Sequence, residues 1–282
     1  MMKKGISVWS FPGDWPLERI FASARDAGFE GVEVALSEKG ELSLESTEED
    51  LDKIRDLACR YGLELYSVAS GLYWTYSLTS DNPSVREKAK DIVKKQLLAA
   101  KRLSCDTILV VPGCVGADFI PGSGVVAYDT AYERALAAMK ELGAFAGELG
   151  VCIGVENVWN KFLLSPLEMK QFIDEAAGSG SPWLGAYFDV GNVVLTGYPQ
   201  HWIHILGSRI KKVHIKDFKK SVGTLEGFVD LLSGDVDYPQ VMEALKDIGY
   251  DGWITAEVSV LKGFPEEGIR RTSAAMDKIL KA

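Results

Sequence analysis

The sequence predicts an α/β fold, a single (β/α)₈ TIM barrel over residues 1–282. Three observations predict it. Short β-branched or apolar runs alternate with amphipathic stretches from end to end, the pattern of βα units joined by right-handed crossovers. The runs number eight, and no linker or low-complexity tract divides the chain. Four successive runs end on or beside Glu156, Asp189, His214 and Glu257, residues suited to one shared site. An open doubly wound sheet has the same alternation, but the count and the strand-end residues favour closure.

Each run is rich in Val, Ile and aromatic residues, as strands covered on both faces should be. Gly5–Trp9 is the first. Gly31–Val34 follows a helical segment that stops at Ala27-Gly28. Ser46-Thr47-Glu48-Glu49 reads as a cap for an amphipathic helix over Thr47–Tyr61, and Gly62 ends that helix before Leu63–Val68. The helices Ser84–Leu103 and Tyr128–Leu149 flank the strand Thr107–Val111, and Gly150 precedes Val151–Val155. Ser165-Pro166-Leu167-Glu168 pairs an N-cap serine with proline in the first turn, ahead of Leu184–Phe188. Ile210–Ile215 is seventh, and Ile248-Gly249 closes a helix before Trp253–Ala256. The longest irregular stretches, Gly71–Pro83, Pro112–Val126 and Lys216–Tyr238, all follow strands, on the face where barrel active sites lie.

Composition narrows the function. The chain is 47% hydrophobic and 25% charged, as a soluble protein with a large core should be. Lys and Arg number 31 against 40 Asp and Glu, a net charge of -9. Nucleic-acid affinity is built from Lys and Arg contacts, so no nucleic-acid partner is expected. No stretch near Met1–Trp15 resembles a signal peptide, and no run approaches the roughly 18 apolar residues of a spanning helix. A cytoplasmic location without a membrane partner is therefore expected. Cys59, Cys105, Cys114 and Cys152 show no CxxC spacing and are expected as reduced core residues.

The four strand-end residues carry the chemistry. They lie roughly 25 to 45 residues apart, about one βα unit each, so a barrel brings them to one mouth. Three carboxylates and an imidazole there suit a divalent cation, making Glu156, Asp189, His214 and Glu257 the expected metal ligands. Lys216 alternates with Ile215 after His214 and should face the interior, where it needs a carboxylate or an anionic substrate. Glu33 closes the second run and could reach the mouth as a substrate contact or serve as a supporting carboxylate. Among the aromatics at strand ends (Trp9, Trp15, Tyr73, Trp74, Trp159), some should be core and a few could wall a sugar site. His201 and His204 lack an HExxH glutamate and should lie on an outer helix; GxGxxG, GxxxxGK[ST] and GxSxG are absent.

The strings Gly31-Val32-Glu33, Val155-Glu156-Asn157, Phe188-Asp189-Val190-Gly191-Asn192, Val213-His214-Ile215-Lys216-Asp217, Gly234-Asp235-Val236-Asp237-Tyr238-Pro239 and Ala256-Glu257 resemble, in order, the xylose isomerase-like barrels of sugar and sugar-phosphate isomerases and epimerases. The resemblance implies one divalent ion, Mn²⁺ first and Mg²⁺, Co²⁺ or Zn²⁺ as alternatives, on those four ligands. It implies a sugar or sugar-phosphate substrate and allows a homodimer or homotetramer. Free-ketose 3-epimerases carry Asn-Arg-Phe-Glu and a histidine where this chain has Asn160-Lys161-Phe162-Leu163 and Asn192. The pentulose-phosphate 3-epimerase branch shares Asp-Val-Gly-Asn. Lys216, Asn192, Trp159, Trp74, Lys161 and Glu33 are accordingly the expected substrate contacts.

The activity this implies is a metal-dependent ketose or ketose-phosphate 3-epimerase. Glu156 and Glu257 would remove and return a proton through a cis-enediolate. Aldose–ketose isomerisation and dehydration of a keto-polyol are the alternatives on the same site. A DNA-repair endonuclease fits poorly with three histidines and the acidic balance, and a non-catalytic sugar-binding barrel has little need for opposed carboxylates.

Overall fold

The computed structural model describes residues 2–178 and 180–282. Eight parallel strands close into a ring: β1 (Lys3–Ser7), β2 (Gly31–Ala35), β3 (Glu64–Ala69), β4 (Thr107–Val110), β5 (Cys152–Glu156), β6 (Leu184–Asp189), β7 (Ile210–Ile215) and β10 (Trp253–Ala256), with β10 pairing back onto β1. The helices are α1 (Leu17–Asp26), α2 (Glu48–Arg60), α3 (Pro83–Arg102), α4 (Tyr128–Leu149), α5 (Pro166–Ala177), α6 (Pro199–Leu206), α7 (Tyr238–Asp247) and α8 (Pro265–Ile279). This is a (β/α)₈ barrel. Among the described residues no helix is long and apolar enough to cross a membrane.

Local signals set the helix ends. Thr47 caps α2 in a reciprocal box, but its partner is Asp50, whose carboxylate accepts the Thr47 N–H at 3.0 Å. Ser165 Oγ accepts the Glu168 N–H at 3.2 Å to start α5. Gly28, Gly62, Gly150 and Gly249 all take positive φ after their helices, as their positions predict.

Three expectations need correction. The first strand is Lys3–Ser7, not Gly5–Trp9. Ser7 Oγ accepts the Trp9 N–H and bends Val8–Ser10 into a 3₁₀ turn. The charged start still fits a strand because Lys3 pairs with Glu64 at 2.8 Å and Lys4 with Asp277 at 2.5 Å. Lys216–Tyr238 is not irregular throughout: β8 (Asp217–Phe218) and β9 (Phe228–Val229) pair as an antiparallel hairpin. Of the cysteines, Cys105 and Cys152 are buried, whereas Cys114 is half-buried and Cys59 exposed on α2.

The main core lies between strands and helices. Phe162 and Phe172 meet edge to face with centroids 5.8 Å apart, and Tyr132 packs on Phe172 at 5.5 Å, tying the loop after β5 onto α4 and α5. Phe172→Ala would cost about 3–5 kcal/mol through the cavity it leaves. The barrel interior is different: Glu33, Tyr66, Ser67, Tyr187, His214 and Thr255 fill it, all at most 3% exposed. Its filling depends on an irregularity between β2 and β3. Pairing runs Val32–Leu65 and then Val34–Val68, so Glu33 faces two residues of β3. The extra residue turns both Tyr66 and Ser67 inward, where Tyr66 Oη meets Thr255 Oγ1 at 2.9 Å and Ser67 Oγ donates to Glu33 at 3.1 Å.

Candidate metal centre at the barrel mouth

β5, β6, β7 and β10 are neighbours in the ring, so their ends deliver Glu156, Asp189, His214 and Glu257 to one place. One ligand atom from each lies within 4.8 Å of every other. His214 Nδ1 is 3.1 Å from Glu156 Oε1, 2.9 Å from Glu257 Oε2 and 4.0 Å from Asp189 Oδ2. Three are buried and Glu257 is partly open to the mouth.

These residues fit a divalent cation. Asp189 Oδ1 accepts the Asn192 N–H at 2.9 Å, but Oδ2 is buried with no hydrogen-bond partner. Lys216 Nζ approaches Oδ2 only as a charge, at 3.1 Å. A buried acceptor left unsatisfied is costly, and a cation held among three carboxylates and an imidazole would satisfy it.

Electrostatics separates the two glutamates. Burial raises the Glu156 carboxyl to about 7 despite the nearby His214 and Lys216. Burial acts on Glu257 too, but Lys216 and His214 outweigh it and hold that carboxyl at about 2. Lys216 is the reason for the difference, with Nζ 2.9 Å from Glu257 Oε1. Asp189 is pushed up by burial. For His214 burial opposes the charge, yet Glu33, Glu156 and Glu257 together raise its pKa well above the ordinary value.

The sequence motifs turn out to be a scaffold. The Asn157 amide brackets Asp189, donating to its carbonyl at 2.8 Å and accepting its N–H at 2.9 Å. Asn192 Nδ2 donates to the Asn157 carbonyl at 2.9 Å. Gly191 does not take positive φ; it is small because a Cβ there would lie 2.6 Å from Lys216 Cβ. The buried Asp217 carboxylate accepts backbone N–H groups from Phe218, Gly234 and Val236, strapping the Lys216–Tyr238 segment down. Asp237 caps α7, and Tyr238 Oη donates to the Lys216 carbonyl at 3.1 Å.

The structure gathers some expected residues and separates others. Lys216 joins the four candidate ligands, as its alternation with His214 requires. Beside it, Trp9, Leu225, Phe228 and Val258 help wall a cavity of about 270 Å³. Glu33 is fully buried, and its oxygens face His214, Ser67 and Tyr187 rather than the open mouth. That placement fits the supporting carboxylate and not the substrate contact. Trp159, Lys161 and Asn192 line a separate cavity of about 350 Å³ that none of the four ligands borders. Within it Lys161 pairs with Asp118 at 2.6 Å, and Trp159 Nε1 donates to the Asn192 carbonyl at 2.9 Å. Trp74 packs edge to face on Phe119, 5.0 Å away. His201 and His204 sit on the outer α6, where His204 Nε2 is 3.2 Å from Asp247. Tyr187 and Ser67 were missed. The inward alternation Gly185, Tyr187, Asp189 marks Tyr187, but nothing in the sequence marks the extra residue that turns Ser67 inward.

Comparison with known proteins agrees with this architecture. The chain is 26% identical over 259 residues to an L-ribulose 3-epimerase of Methylomonas sp. (strain DH-1), covering 89% of this chain and 81% of that one. It is 28% identical over 254 residues to an Escherichia coli (strain K12) protein named for L-ribulose-5-phosphate 3-epimerase activity, covering 86% and 83%. The crystal structure of a D-psicose 3-epimerase with D-tagatose, from Clostridium cellulolyticum H10, superposes with a TM-score of 0.80 over 99% of both chains, at 19% identity. The family model for the xylose isomerase-like TIM barrel matches residues 21–279, a span that takes in every residue of the cluster. The chain therefore belongs to the xylose isomerase-like TIM barrel family.

Proposed function

We propose that this protein is an isomerase, a metal-dependent 3-epimerase of a ketose or ketose phosphate. One observation carries the reading. Glu156 and Glu257 approach the same imidazole nitrogen from strands that β6 and β7 separate in the ring. Two carboxylates on opposite sides of one small site suit removal of a proton from one face of a carbon and its return to the other. The named relatives, both called 3-epimerases, support it.

A divalent cation held by Glu156, Asp189, His214 and Glu257, Mn²⁺ by preference, would supply polarisation of the ketose carbonyl and stabilise enediolate charge. The residues do the rest. Glu156 and Glu257 both reach the His214 Nδ1 side of the site, so one is placed to accept a proton and the other to return one. Lys216 keeps Glu257 ionised and presents the one ammonium group among the lining residues of the adjoining cavity.

The test is turnover of free and 5-phosphorylated ketopentoses and ketohexoses in D₂O. The reading expects solvent deuterium at C3 of the product. Label confined to C1 or C2 would instead identify an aldose–ketose isomerase. Loss of water would identify a dehydratase, and failure of every sugar to exchange would remove the reading.

A further inference from the structure

Beneath the four ligands lies a second, fully buried layer that the proposed reaction does not use. Glu33 Oε1 is 3.0 Å from His214 Nε2, on the far side of the imidazole from the other carboxylates. Its second oxygen, Oε2, accepts from Ser67 Oγ at 3.1 Å and from Tyr187 Oη. Glu33, Ser67, Tyr187 and His214 are all fully buried, so no water competes for these bonds. The Tyr187 ring stands against the imidazole with centroids 4.6 Å apart and fixes its tilt.

The geometry assigns Glu33 as a positioning residue for His214, with Tyr187 and Ser67 holding its carboxylate in place. This rests on the metal-site reading above but not on the identity of the substrate. A carboxylate can only accept, so Glu33 requires a proton on Nε2. The Nε2–H···Glu33 bond leaves Nδ1 as the nitrogen turned to Glu156, Asp189 and Glu257, and it fixes the ring plane. Two donors converge on Oε2, which prevents the carboxylate from rotating away. The inserted residue in β3 is what makes this possible. Without it Ser67 would face the helices, and Glu33 would lose one of its two clamps. Orienting partners of this kind are worth about 10–100-fold in metal affinity when removed.

Glu33→Gln supplies the test. Tyr187 and Ser67 both donate, so the new amide places its carbonyl toward them and its NH₂ toward His214 Nε2. Nε2 then has a donor opposite it and no acceptor. Mn²⁺ affinity, measured by competition with a chelator, is expected to fall about 10–100-fold. The slowly exchanging Nε2–H signal of His214, followed with ¹⁵N-labelled histidine in the metal-free protein, is expected to disappear. Adding Tyr187→Phe and Ser67→Ala to Glu33→Gln frees the amide to turn its carbonyl to Nε2, and should recover part of the lost affinity. Unchanged affinity in Glu33→Gln overturns the assignment, as does a loss of affinity with the Nε2–H signal still present. Should Glu33→Gln not fold, Tyr187→Phe alone is read the same way, with a several-fold loss of affinity expected and no loss overturning it. If the parent protein itself binds no Mn²⁺, the metal reading fails, and the Nε2–H signal still decides the role of Glu33.

Discussion

The Asn157 side chain grips the backbone of Asp189 at both ends, giving a hydrogen to its carbonyl and taking one from its amide. Glu156 and Asp189 are therefore held in step by the residue next to the first of them. Asn157→Ala would leave a buried N–H and C=O unpaired, at about 1–3 kcal/mol each before water enters. We expect a lower melting temperature together with weaker Mn²⁺ binding, because Asp189 is no longer fixed. Melting and chelator competition on the same sample check it. A loss of stability with full metal affinity would show that the bracket supports the fold alone.

Replacing either glutamate with glutamine should abolish epimerisation while the barrel stays folded. General acid–base groups contribute about 10²–10⁴-fold, and each of these also donates an oxygen to the cluster. The measurement is turnover alongside circular dichroism. Near-parental rates in Glu156→Gln or Glu257→Gln would rule out the two-carboxylate scheme.

Exhaustive chelation should remove activity, and added Mn²⁺ or Co²⁺ should restore it. The same ions should raise the melting temperature of the chelated protein. A ligand at about 100 times its Kd adds about 2.7 kcal/mol to folding stability. Activity that persists after chelation would count against any metal role.

The two glutamates also predict opposite pH effects on the metal-free protein. Glu156 is raised to about 7 from an ordinary 4.5, so its contribution is present below 4.5 and is lost as pH rises through 7. Glu257 is lowered to about 2, so its contribution is present above 4.5 and is lost as pH falls toward 2. In the presence of chelator, Glu156→Gln should therefore melt higher than the parent at pH 8 and similarly at pH 5. Glu257→Gln should melt lower than the parent at pH 7, with the gap closing in acid. Thermal melts across pH check both signs.

The barrel and its cluster were legible because each depends on a regular period. Alternation of apolar runs and glycine stops gives the βα units. A polar residue near the end of an inward-facing apolar run points into the barrel, as Glu33 does, or into its mouth. The same two-residue period turns Lys216 inward, beside Asp189 and Glu257. The rest depends on breaks in that period. Ser67 is turned inward by one extra residue that no local preference announces, and with it comes one of the donors to Glu33. Trp159, Lys161 and Asn192 line the neighbouring cavity, with the Trp159 ring packed on Phe228 of the cavity beside Lys216. Nearness along the chain says little about direction once a strand has ended.

Asp217 places the hairpin of β8 and β9 on the same strand end that carries His214 and Lys216. The strap uses only backbone amides of the segment it holds, so the exposed side chain of Leu225 is free to change without loosening it. The lid of the chamber and its floor can thus diverge separately. A lineage could rewrite Lys219–Glu226 while the cluster of Glu156, Asp189, His214 and Glu257 underneath stays as it is.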